Sequence, residues 1–492
     1  MPRLTIDGRE IEVAGGATLL EAARAVGSEI PTLCYTKETG ALTTCMICVV
    51  KNVATGQLVP SCAVAAEDGM EILTADDEVI AARREVLTML LNEHAGDCEG
   101  PCSQMCPAGL DIPRMLRHVA AGDSEAAARL AKRDLIFPAT LGWVCAAPCE
   151  RVCRRKQFDT ALEIKDTHRI LGETPVDLPV RGEPIGKSVA VVGAGLAGLS
   201  AAWTLVMRGH ACRVYEKRDT ACAALRRLPP EELPQEVLEA EIASIRRIGV
   251  DIRYGVSVDA LASLLEVHDA VIVACGLEHK EDARVFRAVE DSLAVRAVGH
   301  GKGAALAADA FLRGNPPPPK KAFNSTLGPR LSAGELPAFA EGRLKPSPNG
   351  SPVAPGSPVA PGSPDALIRE AARCLHCDCH KVVSCKLRRY AEEYGLAPQV
   401  KRTMPRPPIL PIERYDEVIF EPGKCIKCGI CVEMTQAAGL AMGMAMTCRG
   451  LSSRVQPAFG STLEAGLGPL AEACARACPT AALAISTQEE RE

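Results

Sequence analysis

The sequence predicts a chain of several domains, which belong to the α/β and α+β classes. Three observations lead to this prediction: a length of 492 residues, a glycine-rich turn between a buried strand and an apolar helix, and 23 cysteines that stand in separate clusters. The cysteine clusters, the glycine-rich turn and a proline-rich stretch divide the chain into six predicted segments: 1–80, 81–180, 185–314, 315–364, 365–400 and 401–492.

Composition excludes several classes of protein. The net charge of −5 is the opposite of the basic footprint that nucleic-acid binding requires, so we expect no nucleic-acid partner. No run of about 18 apolar residues occurs, so no membrane span is expected, and residues 1–13 lack the apolar core of a signal peptide. We therefore expect a cytoplasmic protein, in which numerous reduced thiols indicate metal binding and not disulfides.

The first segment has the order hairpin, helix, cysteine loop. Alternating residues flank an Asp7-Gly8 turn, and Thr18 and Glu21 form a capping-box pattern for a helix that runs to about Val26. This order predicts a small β-grasp domain. The cysteine spacing resembles the [2Fe-2S] domain of the large iron–sulfur subunit of complex I and of iron-only hydrogenases. The resemblance implies one [2Fe-2S] cluster on four ligands: Cys34, Cys45, Cys48 and Cys62. A zinc site is the alternative, although zinc prefers two close cysteine pairs and Cys34 stands alone.

Two cysteine triplets with the same Cys-x3-Cys-x3-Cys spacing lie in residues 81–180. They resemble the N-terminal helical domain of the glutamate synthase small subunit and of dihydropyrimidine dehydrogenase. That resemblance implies two [4Fe-4S] clusters with ligands crossing between the triplets. One cluster would take Cys98, Cys102 and Cys153, and the other Cys106, Cys145 and Cys149.

Each of these clusters then needs a fourth ligand, and two histidines are candidates. His94 falls where the family often has its first cysteine, and a His four residues before a Cys resembles the His-ligated cluster of complex I. His168 falls where the family places a Gln or Glu. Imidazole replaces thiolate in some clusters and raises their potential. The alternative is that both histidines are ordinary surface residues.

Residues 185–314 carry a dinucleotide-binding fingerprint. A strand ending at Val192 leads into Gly193, Gly195 and Gly198, and the next strand ends at the acidic Glu216. The segment resembles the FAD-binding part of the glutamate synthase small subunit. The family's second Rossmann unit is absent, so we expect no NAD(P)H site. The family's Gly-Asp near the flavin is also missing, so bound FAD and a purely structural domain both remain open.

The remaining segments are a linker and two cysteine-rich regions. Residues 315–364 are rich in proline and contain a repeated Ser-Pro-Val-Ala-Pro-Gly, which predicts an extended linker. Four cysteines in 365–400 predict one [4Fe-4S] cluster, with zinc as the alternative: Cys374, Cys377, Cys379 and Cys385.

The last segment resembles a bacterial ferredoxin. Its first run has Thr435 as its final residue and its second run has Gly468 and Ala471, in place of cysteines. The resemblance therefore implies one surviving [4Fe-4S] cluster, on Cys425, Cys428, Cys431 and Cys478. The remaining five cysteines are expected to bind no metal. Two of them, Cys448 and Cys474, lie in the ferredoxin-like segment. The other three lie in the Rossmann-like segment and are expected to be small buried apolar residues: Cys212, Cys222 and Cys275.

These features predict an electron-transfer subunit with one [2Fe-2S] and four [4Fe-4S] clusters, which use 18 of the 23 cysteines. We expect it to relay single electrons between other redox subunits of a larger complex, such as a hydrogenase or a formate dehydrogenase. No catalytic residue is predicted. Two alternatives stay open: an FAD-containing oxidoreductase that splits electron pairs or takes hydride from NAD(P)H, and a scaffold that binds zinc.

Overall fold

The computed structural model of the chain contains two compact units. The first consists of Met1–Glu99, Lys321–Leu344 and His376–Glu492, and the second of Gly100–Lys320 and Lys345–Leu375. These units cut across the six consecutive segments that the sequence predicts. The structure describes residues 1–277, 282–316, 322–343, 364–397 and 406–486.

The N-terminal part of the first unit is a mixed five-stranded sheet that carries one helix on its face. The turn at Asp7 and Gly8 has positive φ at both residues, as a two-residue hairpin requires. Thr18 and Glu21 form the predicted capping box. The sheet order is β2-β1-β7-β5-β6. The elements are β1 Arg3–Ile6, β2 Arg9–Glu12, α1 Leu19–Ala25, β3 Tyr35–Thr36, β4 Gly40–Ala41, β5 Val49–Asn52, β6 Gln57–Pro60, β7 Glu71–Leu73 and α2 Asp77–Glu93.

The second unit begins with six short helices, whose ends hold the cysteines. Three of the helices start at a proline, which suits a first helical position because its amide would be unpaired there. The helices are α3 Pro101–Met105, α4 Ile112–Ala120, α5 Ser124–Leu135, α6 Pro138–Val144, α7 Pro148–Arg151 and α8 Ile164–Glu173.

A parallel five-stranded sheet follows in the same unit, in the order β10-β9-β8-β11-β12. Its first strand, glycine turn, helix and second strand have the bounds that the sequence predicts, and the Rossmann-like prediction is confirmed. The elements are β8 Ser188–Val192, α9 Leu196–Met207, β9 Ala211–Glu216, α10 Gln235–Arg247, β10 Asp251–Tyr254, α11 Leu261–Leu265, β11 Ala270–Val273, β12 Val285–Arg287 and α12 Ala294–Leu312.

The proline-rich linker prediction does not hold for all of 315–364. Residues 317–321 and 344–363 lie outside the described part of the chain, but the stretch between them is folded and contains α13, Leu336–Ala340. Phe323 and Phe339 are only 3% and 2% exposed, so two aromatic anchors hold this stretch in the first unit. The next two helices are α14 Pro364–Ala372 and α15 Lys386–Glu393.

The C-terminal part of the first unit has a three-stranded antiparallel sheet in the order β13-β14-β17 and a separate hairpin of β15 and β16. No helix among the described residues is both long and apolar enough to cross a bilayer. The elements are β13 Glu413–Tyr415, β14 Val418–Phe420, α16 Ile430–Ala437, β15 Met444–Thr447, β16 Arg454–Pro457, α17 Leu463–Leu467, α18 Ala471–Ala477 and β17 Leu483–Ile485.

Candidate metal centres and nucleotide cleft

The four N-terminal cysteines form two sulfur pairs. Cys48 precedes β5 and Cys62 follows β6, so the hairpin brings their Sγ atoms to 3.3 Å. The Cys45 side chain hydrogen-bonds that of Cys34, and this contact lowers the pKa of Cys34 as Cys62 lowers that of Cys48. Two pairs of thiols suit two irons with two thiolates each, whereas one zinc ion needs four ligands around a single point.

Four of the cysteine loops each contain a non-glycine residue with a left-handed backbone conformation (positive φ): Met46, Ala147, His376 and Lys427. This conformation costs on the order of 1 kcal/mol per residue. It turns backbone amides towards sulfur, since the Ala147 amide donates to Cys145 Sγ at 3.4 Å and the Lys427 amide donates to Cys425 Sγ at 3.3 Å. Such donors stabilise a thiolate, which is the form that binds iron.

One cysteine group in the second unit combines Cys106, Cys145 and Cys149, as the sequence predicts for one cluster. Cys106 ends α3, Cys145 ends α6, and Cys149 lies in α7, which packs on α3. Burial raises the pKa of Cys149, and the charges of Cys106 and Cys145 raise it further. These thiols are therefore close enough to repel one another when ionised.

His168, the predicted fourth ligand of this group, is buried in α8. Its Nδ1 lies 2.9 Å from the carbonyl oxygen of Pro138 at the start of α6. Burial lowers the pKa of His168 to about 4, although the Pro138 contact opposes the shift. A neutral ring that donates through Nδ1 carries its lone pair on Nε2, which is the tautomer that a metal ligand needs. The role of His168 as a ligand stays a prediction.

The other cysteines of this unit that are predicted to bind iron pack, like the first group, against its large apolar core: Cys102, Cys153 and Cys374. Arg155 donates to the carbonyl oxygen of Arg373 at 3.1 Å, and Arg373 pairs with Asp159, so the segment after Cys153 is tied to the end of α14. The sequence-based grouping of Cys374 with Cys377, Cys379 and Cys385 stays a prediction.

In the first unit, Cys98 lies near Cys379 and Cys385. The Cys379 amide donates to the Cys98 carbonyl oxygen at 3.1 Å, and their side chains share an apolar cluster with Val382. Burial raises the pKa of Cys98 to about 12, and the charge of Cys379 adds to the shift. Burial also raises the pKa of Cys385, with contributions from Cys379 and Cys98. Cys377 also lies in this unit and is partly exposed.

Lys424, which sequence reasoning missed, is buried beside this group. Its Nζ pairs with Glu421 at 2.5 Å. Although burial opposes it, the charges of Cys379 and Glu421 raise the pKa of Lys424, so the lysine is a fixed cation next to the sulfurs. Its side chain passes over Gly96, where a Cβ would lie 2.7 Å from it and 3.3 Å from His94 Nε2. Only its position just before the last cysteine run could have drawn attention to it.

The four predicted ferredoxin-type ligands line one small apolar cavity: Cys425, Cys428, Cys431 and Cys478. Burial raises the pKa of Cys431, and the other three sulfurs raise it further. Cys474, expected to bind no metal, is fully buried and also lines this cavity. Within the described residues, no three His, Cys, Asp or Glu side chains lie close enough to bind a single metal ion.

The positions of the lost ferredoxin cysteines are filled by ordinary packing. Thr435 is fully buried, and its hydroxyl donates to the carbonyl oxygen of Cys431 and accepts from the Met444 amide. Ala471 packs in an apolar cluster with Met444 and Leu467. The volume that a second centre would need is therefore hydrophobic core.

The glycine turn borders a cleft of about 700 Å³ at the carboxyl ends of β8, β9 and β11. Gly193 has φ of +107°, and a Cβ there would lie 2.7 Å from the Ala274 carbonyl oxygen. A Cβ on Gly198 would lie 1.9 Å from the Gly193 carbonyl oxygen. The turn thus requires these glycines for its own packing, and the cleft has the volume of a cofactor site.

Two carboxylates face the turn. Glu216 is buried and accepts hydrogen bonds from the amides of Ala194 and Arg218, at 2.8 and 3.0 Å. Glu290 is an exposed residue, but its carboxylate lies against Gly195 and accepts from the Ala197 amide at 3.3 Å. Burial of that end of the side chain raises the pKa of Glu290. The carboxylate of Glu290 therefore occupies the helix start where a dinucleotide pyrophosphate binds.

One prediction about the other cysteines is wrong. Cys212 and Cys222 are buried as expected, but Cys275 is exposed and lines the cleft. The reason is its position just beyond the end of β11, where the chain leaves the sheet.

Comparison with known families assigns three parts of the chain. Residues 2–77 match the 2Fe-2S iron–sulfur cluster binding domain, residues 91–177 match dihydropyrimidine dehydrogenase domain II with its 4Fe-4S cluster, and residues 191–239 match the NAD(P)-binding Rossmann-like domain. The chain therefore carries [2Fe-2S] and [4Fe-4S] iron–sulfur domains and a Rossmann-like domain. The match to the NAD(P)-binding Rossmann-like domain is weak evidence against our expectation that the chain has no NAD(P)H site.

Several characterised proteins are similar over part of their length. The NADP(+)-dependent formate dehydrogenase subunit beta of Moorella thermoacetica is 35% identical over 208 residues, which are 36% of this chain and 29% of that protein. The NADPH-Fe(3+) oxidoreductase subunit beta of Geobacter sulfurreducens is 31% identical over 36% of this chain and 28% of its own. The NAD-dependent dihydropyrimidine dehydrogenase subunit PreT of Escherichia coli is 31% identical over 40% of this chain and 50% of its own.

The chain thus spans half or less of the length of these relatives, all of which are oxidoreductase subunits. Among solved structures, an NAD+-reducing [NiFe]-hydrogenase matches 25% of this chain at 31% identity, with a TM-score of 0.19. The relatives support an iron–sulfur electron-transfer subunit.

Proposed function

We propose that the chain relays single electrons between other redox subunits of an oxidoreductase complex. One observation carries this proposal: cysteines from three separate groups converge on one apolar core of the first unit. That core contains Cys34 and Cys45, Cys385, and Cys428. Centres that share a core are close together and shielded from water, as electron relay requires.

Direct contacts link these three groups. The Thr44 hydroxyl, next to Cys45, donates to the carbonyl oxygen of Cys428 at 2.9 Å. The Lys386 amide, next to Cys385, donates to the carbonyl oxygen of Pro479 at 2.9 Å, and Pro479 follows Cys478. Each link is a single hydrogen bond between ligand loops.

The protein's own residues hold and tune the centres. Iron–sulfur clusters, when bound, accept and release one electron each. The thiolates of the 18 predicted cysteines would hold them, amides such as those of Ser325 and Lys427 donate to sulfur, and Lys424 places a positive charge beside Cys98 and Cys379. Hydrogen bonds and nearby cations of this kind make reduction easier.

The test is the metal and flavin content of protein purified without oxygen. We expect about 18 irons per chain, from one [2Fe-2S] and four [4Fe-4S] clusters, and no zinc. Cys48→Ala should remove the [2Fe-2S] signal in electron paramagnetic resonance (EPR) spectra. Cys212→Ala, a buried cysteine outside all groups, should leave iron unchanged. Zinc in place of iron in the wild-type chain would refute the proposal.

A flavoprotein is a second candidate function, favoured by the cleft and by the Rossmann-like match. In that case FAD would bind at the turn from Gly193 to Gly198, and the isolated chain would reduce a dye with NAD(P)H. A relay chain without flavin releases no yellow cofactor on denaturation and reduces no dye with NAD(P)H alone. Measuring both properties on one preparation separates the two candidates.

The partners are also proposals. The relatives' names point to a formate dehydrogenase or an NAD(P)H-oxidising enzyme as the neighbouring subunit. A hydrogenase is the other candidate. Co-purification of the untagged neighbours with a tagged chain from its own source would identify them.

A further inference from the structure

The contacts around Cys98 regroup the predicted cluster ligands. We propose that His94, Cys98, Cys379 and Cys385 hold one [4Fe-4S] cluster within the first unit, although about 280 residues separate Cys98 from Cys379 in the sequence. This inference rests on the proposed function, because it assumes that the cysteines bind iron.

The backbone brings two ligand loops together. The Cys379 amide donates to the Cys98 carbonyl oxygen at 3.1 Å, and Cys98 and Cys379 share an apolar cluster with Val382 and Ala481. Arg388 fixes this arrangement, because it donates to the Val382 carbonyl oxygen at 2.9 Å and pairs with Glu99 at 2.7 Å. One guanidinium thereby holds the residue after Cys98 and the loop before Cys385.

The surroundings are those of an iron-bound thiolate. The Ser325 amide donates to Cys98 Sγ at 3.3 Å. Lys424 supplies a buried positive charge, which is itself balanced by Glu421. Buried thiolates are costly without such compensation, and a [4Fe-4S] cluster on three thiolates and one neutral imidazole would have a net negative charge that the lysine offsets.

We include His94 as the fourth ligand because it lies beside Lys424, next to the three cysteines. It ends α2, four residues before Cys98, and is only 5% exposed. Its Nε2 and the Lys424 side chain both lie beside Gly96, where a Cβ would lie 3.3 and 2.7 Å from them. A histidine ligand raises the potential of a cluster relative to cysteine.

The experiment counts iron in single and double variants of the full chain, purified without oxygen. Cys98→Ala and Cys379→Ala should each lose about four irons, and the double variant should lose no more than either single variant. Cys98→Ala combined with Cys102→Ala should lose about eight, because the two cysteines then serve different clusters. Cys212→Ala is the control and should lose none.

The opposite pattern would overturn the inference. If Cys98 and Cys102 share a cluster, their double variant loses about four irons, and Cys98→Ala with Cys379→Ala loses about eight. Retention of the [2Fe-2S] EPR signal shows that the first unit has folded. Absence of iron from the wild-type chain would instead sink the proposed function itself.

A second variant keeps the inference testable if an alanine variant does not fold. His94→Cys retains four ligands, so iron should stay constant while the midpoint potential of one EPR signal falls. In protein labelled with ¹⁵N-histidine, that same signal should show nitrogen coupling in the wild type and lose it in His94→Cys. A nitrogen coupling that persists in His94→Cys, or an unchanged potential, would remove His94 from the ligand set.

Discussion

Removing the charge of Glu290 should strengthen dinucleotide binding at the glycine turn. The Glu290 carboxylate accepts from the Ala197 amide at 3.3 Å and lies against Gly195, at the start of α9. A pyrophosphate needs the same amides, so FAD must displace this carboxylate. Glu290→Gln keeps the size of the side chain and removes its negative charge.

The magnitude follows from two contributions. The interaction of a carboxylate with a helix N-terminus stabilises the free protein by about 0.3 to 1 kcal/mol, and FAD binding to the variant does not have to break this interaction. Repulsion between the carboxylate and a phosphate oxygen about 4 Å away adds about 1 kcal/mol even at the dielectric constant of water. The total of about 1.3 to 2 kcal/mol corresponds to about 10- to 30-fold tighter binding of FAD.

The assay is calorimetric titration of flavin-free protein with FAD and, separately, with adenosine. Only FAD carries the pyrophosphate, so adenosine should bind equally to both proteins. Asp259→Asn is the matched control, since Asp259 lines the same cleft but lies on a different loop. Weaker FAD binding in Glu290→Gln would show that this carboxylate holds the flavin, and equal binding would show that it has no influence.

Three further outcomes are expected. Thr44→Val should release iron to a chelator faster than Thr43→Val, because only the Thr44 hydroxyl bonds to the ferredoxin-type loop and such a bond is worth about 1 kcal/mol. Cys474→Ser should keep all its iron, whereas Cys478→Ser should lose about four irons; equal losses would make Cys474 a ligand. Glu241 has a pKa that burial raises to about 7, so the folded state holds its proton more tightly than the unfolded state. Stability should therefore fall from pH 4.5 to pH 7, by up to about 3 kcal/mol, and the decline in thermal midpoint should disappear in Glu241→Gln.

Local patterns in the sequence predicted the local structure. The Asp7-Gly8 turn, the Thr18 capping box and the bounds of β8 and α9 are set by residues within a few positions of one another. The sequence predicted four N-terminal ligands without a pairing, and the Cys48–Cys62 pair also has a local cause, because a hairpin of fixed register joins the two cysteines. Such features depend on short-range geometry, which the sequence shows directly.

The partners of Cys98 could not be predicted in this way. The family resemblance implied Cys102 and Cys153 as partners of Cys98, whereas the Cys379 amide donates to the Cys98 carbonyl oxygen and the two side chains share an apolar cluster. The segment with Phe323 was likewise assigned to a linker on composition, although one aromatic side chain anchors it to the core. In both cases long-range packing decides, and a single sequence carries little information about it.

The C-terminal segment shows how a degenerate motif can still define one centre. The last cysteine of a ferredoxin run serves the other cluster, so Thr435 in its place removes a ligand from that other cluster only, and the first three cysteines of the run keep their own. Loss of one cluster therefore leaves the other complete only if the substitutions fall on one ligand set, as they do at Thr435, Gly468 and Ala471. Ala471 packs with Met444 in an apolar cluster, and this burial contributes to the stability of the segment. On the proposed ligand assignment, the first unit would keep the centre whose loops contact the other cysteine groups and would lack the one among β15, α17 and α18.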